Sequence, residues 1–276
     1  MNFKSLIKSA SRIFKEKNVV PVYKVKNEKE LLKNKIALIS GGSGGIGFAI
    51  AQCFIENGCK VIISGTNESK LKKACEKLGE SSKYIVLNVL EIDTMYDKIV
   101  EAAHMFSEKG CIDILVNSAG THGNQHFGDV TEETFDAVMD VNLKGTFFMC
   151  QYVSKFMIKN NIHGHILNVS SASALKPAWT PYEISKWGIR GFTKGAASSL
   201  IKKGIVVNAI APGPVATDML GRTENDTLYL EANPAKRYAT PLEIGQFAVY
   251  MVSDLCNLVV GDTFYISGGS GTITYK

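Results

Sequence analysis

Seven short, almost wholly apolar runs recur along this chain, each separated from the next by a stretch of helical periodicity. The runs cover residues 36–39, 61–64, 84–87, 114–116, 166–169, 205–210 and 263–266. Between them, helical spacing is read through about Asn57 and over 68–78, 92–107, 132–142, 145–160, 182–200 and 241–253. A strand that is apolar throughout is buried on both faces, and strands joined by helices run parallel. The pattern therefore predicts an α/β fold: one doubly wound, seven-stranded parallel sheet with helices on both faces, occupying residues 35–276. Nothing in the composition breaks that stretch into two domains, and no internal repeat is visible.

Residues 1–34 are set apart by charge. They carry nine Lys and Arg against three Glu, whereas the whole chain of 276 residues has a net charge of +5. The remaining body is thus close to neutral, which argues against a nucleic-acid-binding surface. Within 1–17, Phe3, Leu6, Ile7, Ala10, Ile13 and Phe14 share one helical face, with Lys4, Lys8, Arg12 and Lys15 on another. This predicts a basic amphipathic helix. Docking on the protein's own body or on a second subunit is its simplest use; an anionic membrane surface and a partner protein are the alternatives. Residues 18–34 read as an arm into the first strand. The six cysteines are scattered, without Cys-x-x-Cys spacing or nearby histidines, and no metal site is expected. Reduced, mostly buried thiols, no secretory leader pattern and no apolar run near ~20 residues predict a cytoplasmic protein. His122 and His126 read as loop polarity.

The first strand ends in a glycine cluster, Ser40-Gly41-Gly42-Ser43-Gly44-Gly45-Ile46-Gly47. Glycines here let the backbone approach a pyrophosphate, and the helix that follows offers its N-terminal N–H groups and positive dipole end. A G-x-G-x-x-G spacing is weak alone, but here it follows a strand and opens a helix, as the mechanism demands. The sheet is therefore expected to be of the dinucleotide-binding, Rossmann type. At the end of the second strand, Ser64-Gly65-Thr66-Asn67 holds no carboxylate for an adenosine ribose 2′-OH. A 2′-phosphate would meet no repulsion there, with Ser64, Thr66, Asn67 and Lys70 as neutral or flexible partners. NADP(H) is accordingly favoured over NAD(H).

Tyr182 and Lys186 lie four residues apart at the start of the helix expected to run to Leu200. At that spacing the two side chains share a helix face. A neighbouring ammonium favours the phenolate and would bring the tyrosine pKa down from ~10 toward the working range. The pair could serve as a tuned proton donor, although most Tyr-x-x-x-Lys pairs are solvated surface.

In chain order, the glycine cluster, Asn117-Ser118-Ala119-Gly120, Asn142, Ser170-Ser171, Tyr182-x-x-x-Lys186 and Pro212-Gly213 resemble the short-chain dehydrogenase/reductases. The likeness spans about residues 35–269. Within that family the chain looks most like the 3-oxoacyl-(acyl-carrier-protein) reductases, through Ser64–Asn67, Leu87-Asn88-Val89 and the ending from Gly261-Asp262-Thr263 to Gly268-Gly269. The resemblance implies hydride transfer between a nicotinamide cofactor and a carbonyl or alcohol, with Tyr182 as proton donor or acceptor. Lys186 would tune Tyr182 and bind the nicotinamide ribose, Ser171 would hold the substrate oxygen, and Asn142 would keep a water leading to solvent. Gly41, Ser43, Gly44, Gly45, Ile46 and Gly47 would cradle the diphosphate. Asn88 and Val89 would lie near the adenine, Asn117, Ala119 and Gly120 along the adenosine side, and Pro212, Gly213, Val215 and Thr217 at the carboxamide and diphosphate.

Several positions depart from the family's pattern. Only 11 positions separate Ser171 from Tyr182, about two fewer than usual, so the loop 172–181 is expected to reshape the substrate pocket. Gly44 stands where many NADP-using relatives carry a basic residue, and Ile184 where a small one is common. The implied substrate is a small or carrier-bound carbonyl compound, a 3-oxoacyl thioester among them. Sugar reduction or epimerisation and a non-catalytic dinucleotide-binding regulator are the other readings; the second would be expected to lose Tyr182 or Lys186. Relatives form homodimers or homotetramers through the helices near 145–160 and 182–200 and the last strand, and the same is expected here.

Overall fold

The computed structural model describes residues 30–123, 126–221 and 227–273. The basic helix expected over 1–17, and the arm up to residue 29, lie outside them.

Seven strands form one parallel sheet: β1 (Ile36–Ser40), β2 (Lys60–Gly65), β3 (Ser82–Val86), β4 (Ile114–Asn117), β5 (His165–Val169), β6 (Val206–Pro212) and β7 (Thr263–Ile266). Their spatial order is β3-β2-β1-β4-β5-β6-β7. Every neighbouring pair is parallel. The helices are α1 (Gly45–Glu56), α2 (Glu68–Leu78), α3 (Ile92–His104), α4 (Glu132–Met139), α5 (Gly145–Lys159), α6 (Pro181–Leu200) and α7 (Pro241–Met251). This is the doubly wound sheet that the apolar runs predict.

Alternate residues of each strand enter different cores, which is why the strands are apolar throughout. Ala37, Ile39, Val61 and Ile63 pack with Ile50 and Phe54 of α1, Leu71 of α2 and Ile244 of α7. Leu38 and Ile62 face the other way, against Met95 and Ile99 of α3 and Met149 and Val153 of α5. The described end of the N-terminal arm joins the first of these cores. Leu32 is fully buried and its N–H donates to Asn57 O at 3.0 Å. Burial of a side chain this size stabilises by about 1.5–3 kcal/mol.

The chain order reverses between β1 and β4, so the two loops leaving their C-terminal ends diverge to opposite sides. A crevice opens at such a switch point, the usual ligand position in an open α/β sheet. The separate helices expected over 132–142 and 145–160 are instead one continuous path. A π-helical turn, Asp140–Lys144, joins α4 to α5, with Asn142 at its middle. Such turns interrupt helices at sites where a side chain has a special partner.

Candidate active site

A cavity of about 590 Å³ lies at the crevice, lined by the glycine turn, by Ser118–Gly120 after β4, and by Ser171, Tyr182 and Lys186. That size is within the range of small-molecule sites.

The end formed by the glycine turn, where a nucleotide is expected, is built from backbone. Gly41 turns with φ +67°, and a Cβ there would stand 2.8 Å from the Ala119 backbone. A Cβ on Gly47 would stand 2.3 Å from Gly41 O. Glycine at both positions lets strand, loop and helix close on one another. Gly44, by contrast, has nothing within 4 Å of its Cβ position. It is the N-cap of α1, makes no side-chain cap, and no acidic residue occupies the first turn. The helix thus presents its uncapped N–H groups without a competing carboxylate, which suits an anion. The residues present therefore fit a dinucleotide diphosphate.

The sequence-predicted contacts divide at this point. Gly41, Ser43, Gly44, Gly45, Ile46, Gly47, Ala119, Gly120, Pro212, Gly213, Val215 and Thr217 all line the cavity, as does Lys70. Thr66 is exposed and does not line it. Ser64, Asn67, Asn88, Val89 and Asn117 do not line it. Ser64 is buried, its Oγ donates to Ile39 O, and its carbonyl receives the N–H groups of Gly41 and Gly42. It supports the glycine turn from behind. Asn67 caps α2 by accepting from Lys70 N at 2.9 Å. Asn88 closes its own turn by accepting from Leu90 N, and Val89 is buried against Gly145. Asn117 is buried and donates to Asn168 Oδ1 at 2.9 Å and Cys150 Sγ at 3.1 Å. Burial pushes the Cys150 thiol up to about 12, so it stays protonated, accepting from Asn117 and donating to Asn168 Oδ1 at 3.4 Å.

The reacting end is built from side chains. A capping box starts α6: Thr180 Oγ1 accepts from Glu183 N, and the Glu183 carboxylate accepts from Thr180 N. Pro181 occupies the first turn. These devices fix the helix start and thereby Tyr182. Lys186, one turn on, is buried and donates from Nζ to Val169 O at 2.9 Å. The two adjacent serines separate in role. Ser170 Oγ donates to Lys186 O at 3.0 Å, whereas Ser171 caps a short 3₁₀ turn, Ala172–Leu175, and hydrogen-bonds with Tyr182. The short 171–182 connection thus keeps Ser171 and Tyr182 together.

Asn142 is fully buried. Its Oδ1 accepts from Thr121 N at 2.8 Å, and its Nδ2 donates to Thr121 O at 3.0 Å and Ser185 Oγ at 3.1 Å. A Cβ on Gly120 would lie 3.3 Å from Asn142 Oδ1 and 3.8 Å from Lys186 Nζ. Glycine keeps open the space that both groups face.

Burial pushes the Tyr182 phenol above its ordinary value, the Ser171 hydrogen bond draws it back, and the Glu183 carboxylate raises it further. The lowering expected from Lys186 is not present. The ammonium sits 5.5 Å from the ring centroid and is turned to the Val169 carbonyl. Burial also lowers Lys186 itself to about 8. Desolvation disfavours both charged forms, and here it outweighs their proximity.

Two further residues belong to the site. His122 lines the cavity and its ring lies on that of Tyr182, centroids 4.5 Å apart. Its position two residues beyond the Asn117–Gly120 motif was the signal for it. Ser185 bridges Asn142 to the Tyr182 carbonyl, donating to the latter at 2.6 Å. A small polar residue between Tyr182 and Lys186 was the only hint. Among the described residues no cluster of His, Cys, Asp or Glu could hold a metal, and all six cysteines are unpaired.

Fold and site together define an oxidoreductase built on a dinucleotide-binding sheet. A family model described as enoyl-(acyl carrier protein) reductase matches residues 41–271. The chain is 36% identical over 245 residues to the 3-oxoacyl-(acyl-carrier-protein) reductase FabG of Chlamydia muridarum, covering 87% of this chain and 98% of that one. It is 34% identical to galactitol 2-dehydrogenase of Agrobacterium fabrum, with the same coverages. A solved structure from Agrobacterium tumefaciens, provisionally assigned as a gluconate dehydrogenase, superposes with a TM-score of 0.77 at 28% identity. It covers 88% of this chain and 98% of its own. The chain belongs to the short-chain dehydrogenase/reductase family, as its motifs suggest. No helix among the described residues is long and apolar enough to cross a membrane.

Proposed function

We propose that the protein is an NADP(H)-dependent reductase of carbonyl compounds, or dehydrogenase of the corresponding alcohols, with Tyr182 as its proton donor or acceptor. The observation that carries this reading is the convergence of Tyr182, Ser171 and Lys186 on the cavity entered by the uncapped start of α1. The cofactor supplies the hydride; the protein supplies position and the proton. In reduction, the carbonyl carbon gains the hydride while its oxygen gains the Tyr182 proton. Ser171 Oγ holds that oxygen, and Asn142 with Lys186 frames the space through which a proton is replaced from solvent.

Preference for NADP(H) is supported by the absence of a carboxylate at the end of β2 and by Lys70 at the cavity wall. Glu68, the next acid along the chain, accepts from Tyr84 Oη on β3. Titration of the protein with NADPH and NADH is expected to give tighter NADPH binding; a tenfold preference for NADH would overturn the assignment. A 3-oxoacyl thioester is the substrate favoured by likeness to the acyl reductases. Polar groups at the reacting end, His122 and Lys176 among them, favour a second reading, a polyol or sugar-derived carbonyl. A turnover panel of carrier-bound 3-oxoacyl, sugar and simple ketone substrates separates the two. Assembly as a homodimer or homotetramer through α5, α6 and β7 is part of the proposal.

A further inference from the structure

The loop between Ser171 and Tyr182, expected from its length to reshape the substrate pocket, brings a lysine to the cavity. Lys176 follows the 3₁₀ turn capped by Ser171 and lines the same cavity as Ser171 and Tyr182. Its Nζ donates to Ser270 Oγ at 3.1 Å, from the segment that follows β7. A hydroxyl is a neutral partner, and among the described residues no carboxylate pairs with the ammonium. Among the described residues that line the cavity none is Asp or Glu, while Lys70, Lys176, Lys186 and His122 all line it.

Lys176 is exposed, but its backbone is held in place. Its carbonyl accepts from Trp187 Nε1 at 2.9 Å, and its N–H donates to Ser173 O at 3.2 Å. Arg190 holds the preceding turn by donating to Ala174 O at 3.2 Å. The stem passes the α-carbon of Gly271, where a Cβ would lie 3.5 Å from Lys176 Cε. Two residues of α6 and the C-terminal segment therefore fix the root of this side chain. Lys70 and Lys186 are already engaged in the dinucleotide reading; Lys176 sits five residues beyond the serine assigned to the substrate oxygen.

We propose that Lys176, together with the Ser270 hydroxyl, binds an anionic oxygen group of the substrate. The substrate class is then an oxo or hydroxy compound bearing its own carboxylate or phosphate, not a neutral ketone. The inference rests on the carbonyl-reductase reading above and narrows its substrate. The anionic group takes no part in bond-making; it sets which carbonyl is presented to Tyr182. A flexible ammonium suits either anion as a point charge, and a charge-assisted hydrogen bond of this kind is stronger than a neutral one.

The test compares matched pairs on the full-length enzyme with NADPH: a 3-oxo and a 4-oxo acid against their methyl esters, and a ketose phosphate against the free ketose. The two kinds of pair distinguish carboxylate from phosphate. At least one anionic member is expected to exceed its neutral partner by about tenfold in kcat/KM. Lys176→Gln should erase that preference through KM while moving the neutral substrates less than about threefold, and Lys176→Arg should retain it. A readout without turnover is available, because of the chain's only two tryptophans Trp179 lies three residues beyond Lys176 and Trp187 donates from Nε1 to Lys176 O. Anion titration should change their fluorescence, with binding weakened about tenfold in Lys176→Gln. Esters and free sugars that perform as well as the anions would overturn the proposal. So would a Lys176→Gln variant that loses activity equally on both members of a pair, the outcome for a mere latch on Ser270. Failure of the underlying reading is separate: Tyr182→Phe would then retain turnover on neutral and charged substrates alike.

Discussion

The two ends of the cavity are built by different means. At the nucleotide end the determinants are backbone: a left-handed Gly41, a Gly47 packed on Gly41 O, and the bare start of α1. At the reacting end they are side chains held by other side chains, Tyr182 by a capping box and Asn142 by Thr121 and Ser185. The difference has an energetic consequence. Backbone that cradles a ligand is also the backbone that closes the fold, so binding and stability should fall together. A buried ammonium kept for chemistry costs stability, so removing it should separate the two.

Lys186 gives the largest expected effect. Its pKa is lowered by burial to about 8 in the folded protein, against an ordinary 10.5. Below pH 8 the folded state holds a charge it disfavours, a net cost of about 3 kcal/mol. Between pH 8 and 10.5 the unfolded chain binds the extra proton, so stability rises with pH and the cost disappears. Lys186→Met should lose about a hundredfold or more in turnover. It should nevertheless melt higher than the parent at pH 6, with the gap shrinking toward pH 10. Thermal melts across that range check this, and a lower melting temperature at pH 6 would break the contrast between the two ends.

Gly47→Ala tests the other side. The added methyl meets Gly41 O, and overpacking of this kind costs about 1–3 kcal/mol. Melting temperature and NADPH affinity should drop together. Gly44→Ala, where nothing lies within 4 Å and the backbone is extended, should leave the melt unchanged. Equal melts for the two variants would deny the glycine turn its role in closure. The smallest effect expected is that of Thr180→Ala. Loss of the cap should cost about 1 kcal/mol in stability. Since the cap also fixes Tyr182, kcat should fall several-fold at unchanged cofactor affinity.

The same division governs what could be read from the sequence. Strands buried on both faces need apolar runs, and a tight turn against a neighbouring loop needs glycine, so the sheet and its nucleotide end are written in local patterns. Gly41 and Gly47 could be named before any contact was known. Asn142 stands out through its place in an ordered set of motifs, but the π-turn around it has no such signal. That turn is held by the backbone of Thr121, some twenty residues away, and no local spacing encodes it. His122 reads as loop polarity in the sequence because its significance lies in touching Tyr182. Asn117 shows the converse. Its motif suggested a cofactor contact, yet its amide ties β4 to β5 through Asn168. Lys186 was expected to draw the Tyr182 pKa down; spacing alone could not reveal that both groups are desolvated.

Turnover of Tyr182→Phe, measured beside its NADPH affinity on the best carbonyl substrate, tests the central claim most directly. The variant keeps the ring against His122 and removes only the hydroxyl. A loss of about 10²–10⁴ in kcat with NADPH affinity essentially unchanged is the predicted result, the range for a positioned proton donor. Turnover within about threefold of the parent enzyme would contradict the account, since so small a change lies outside that range.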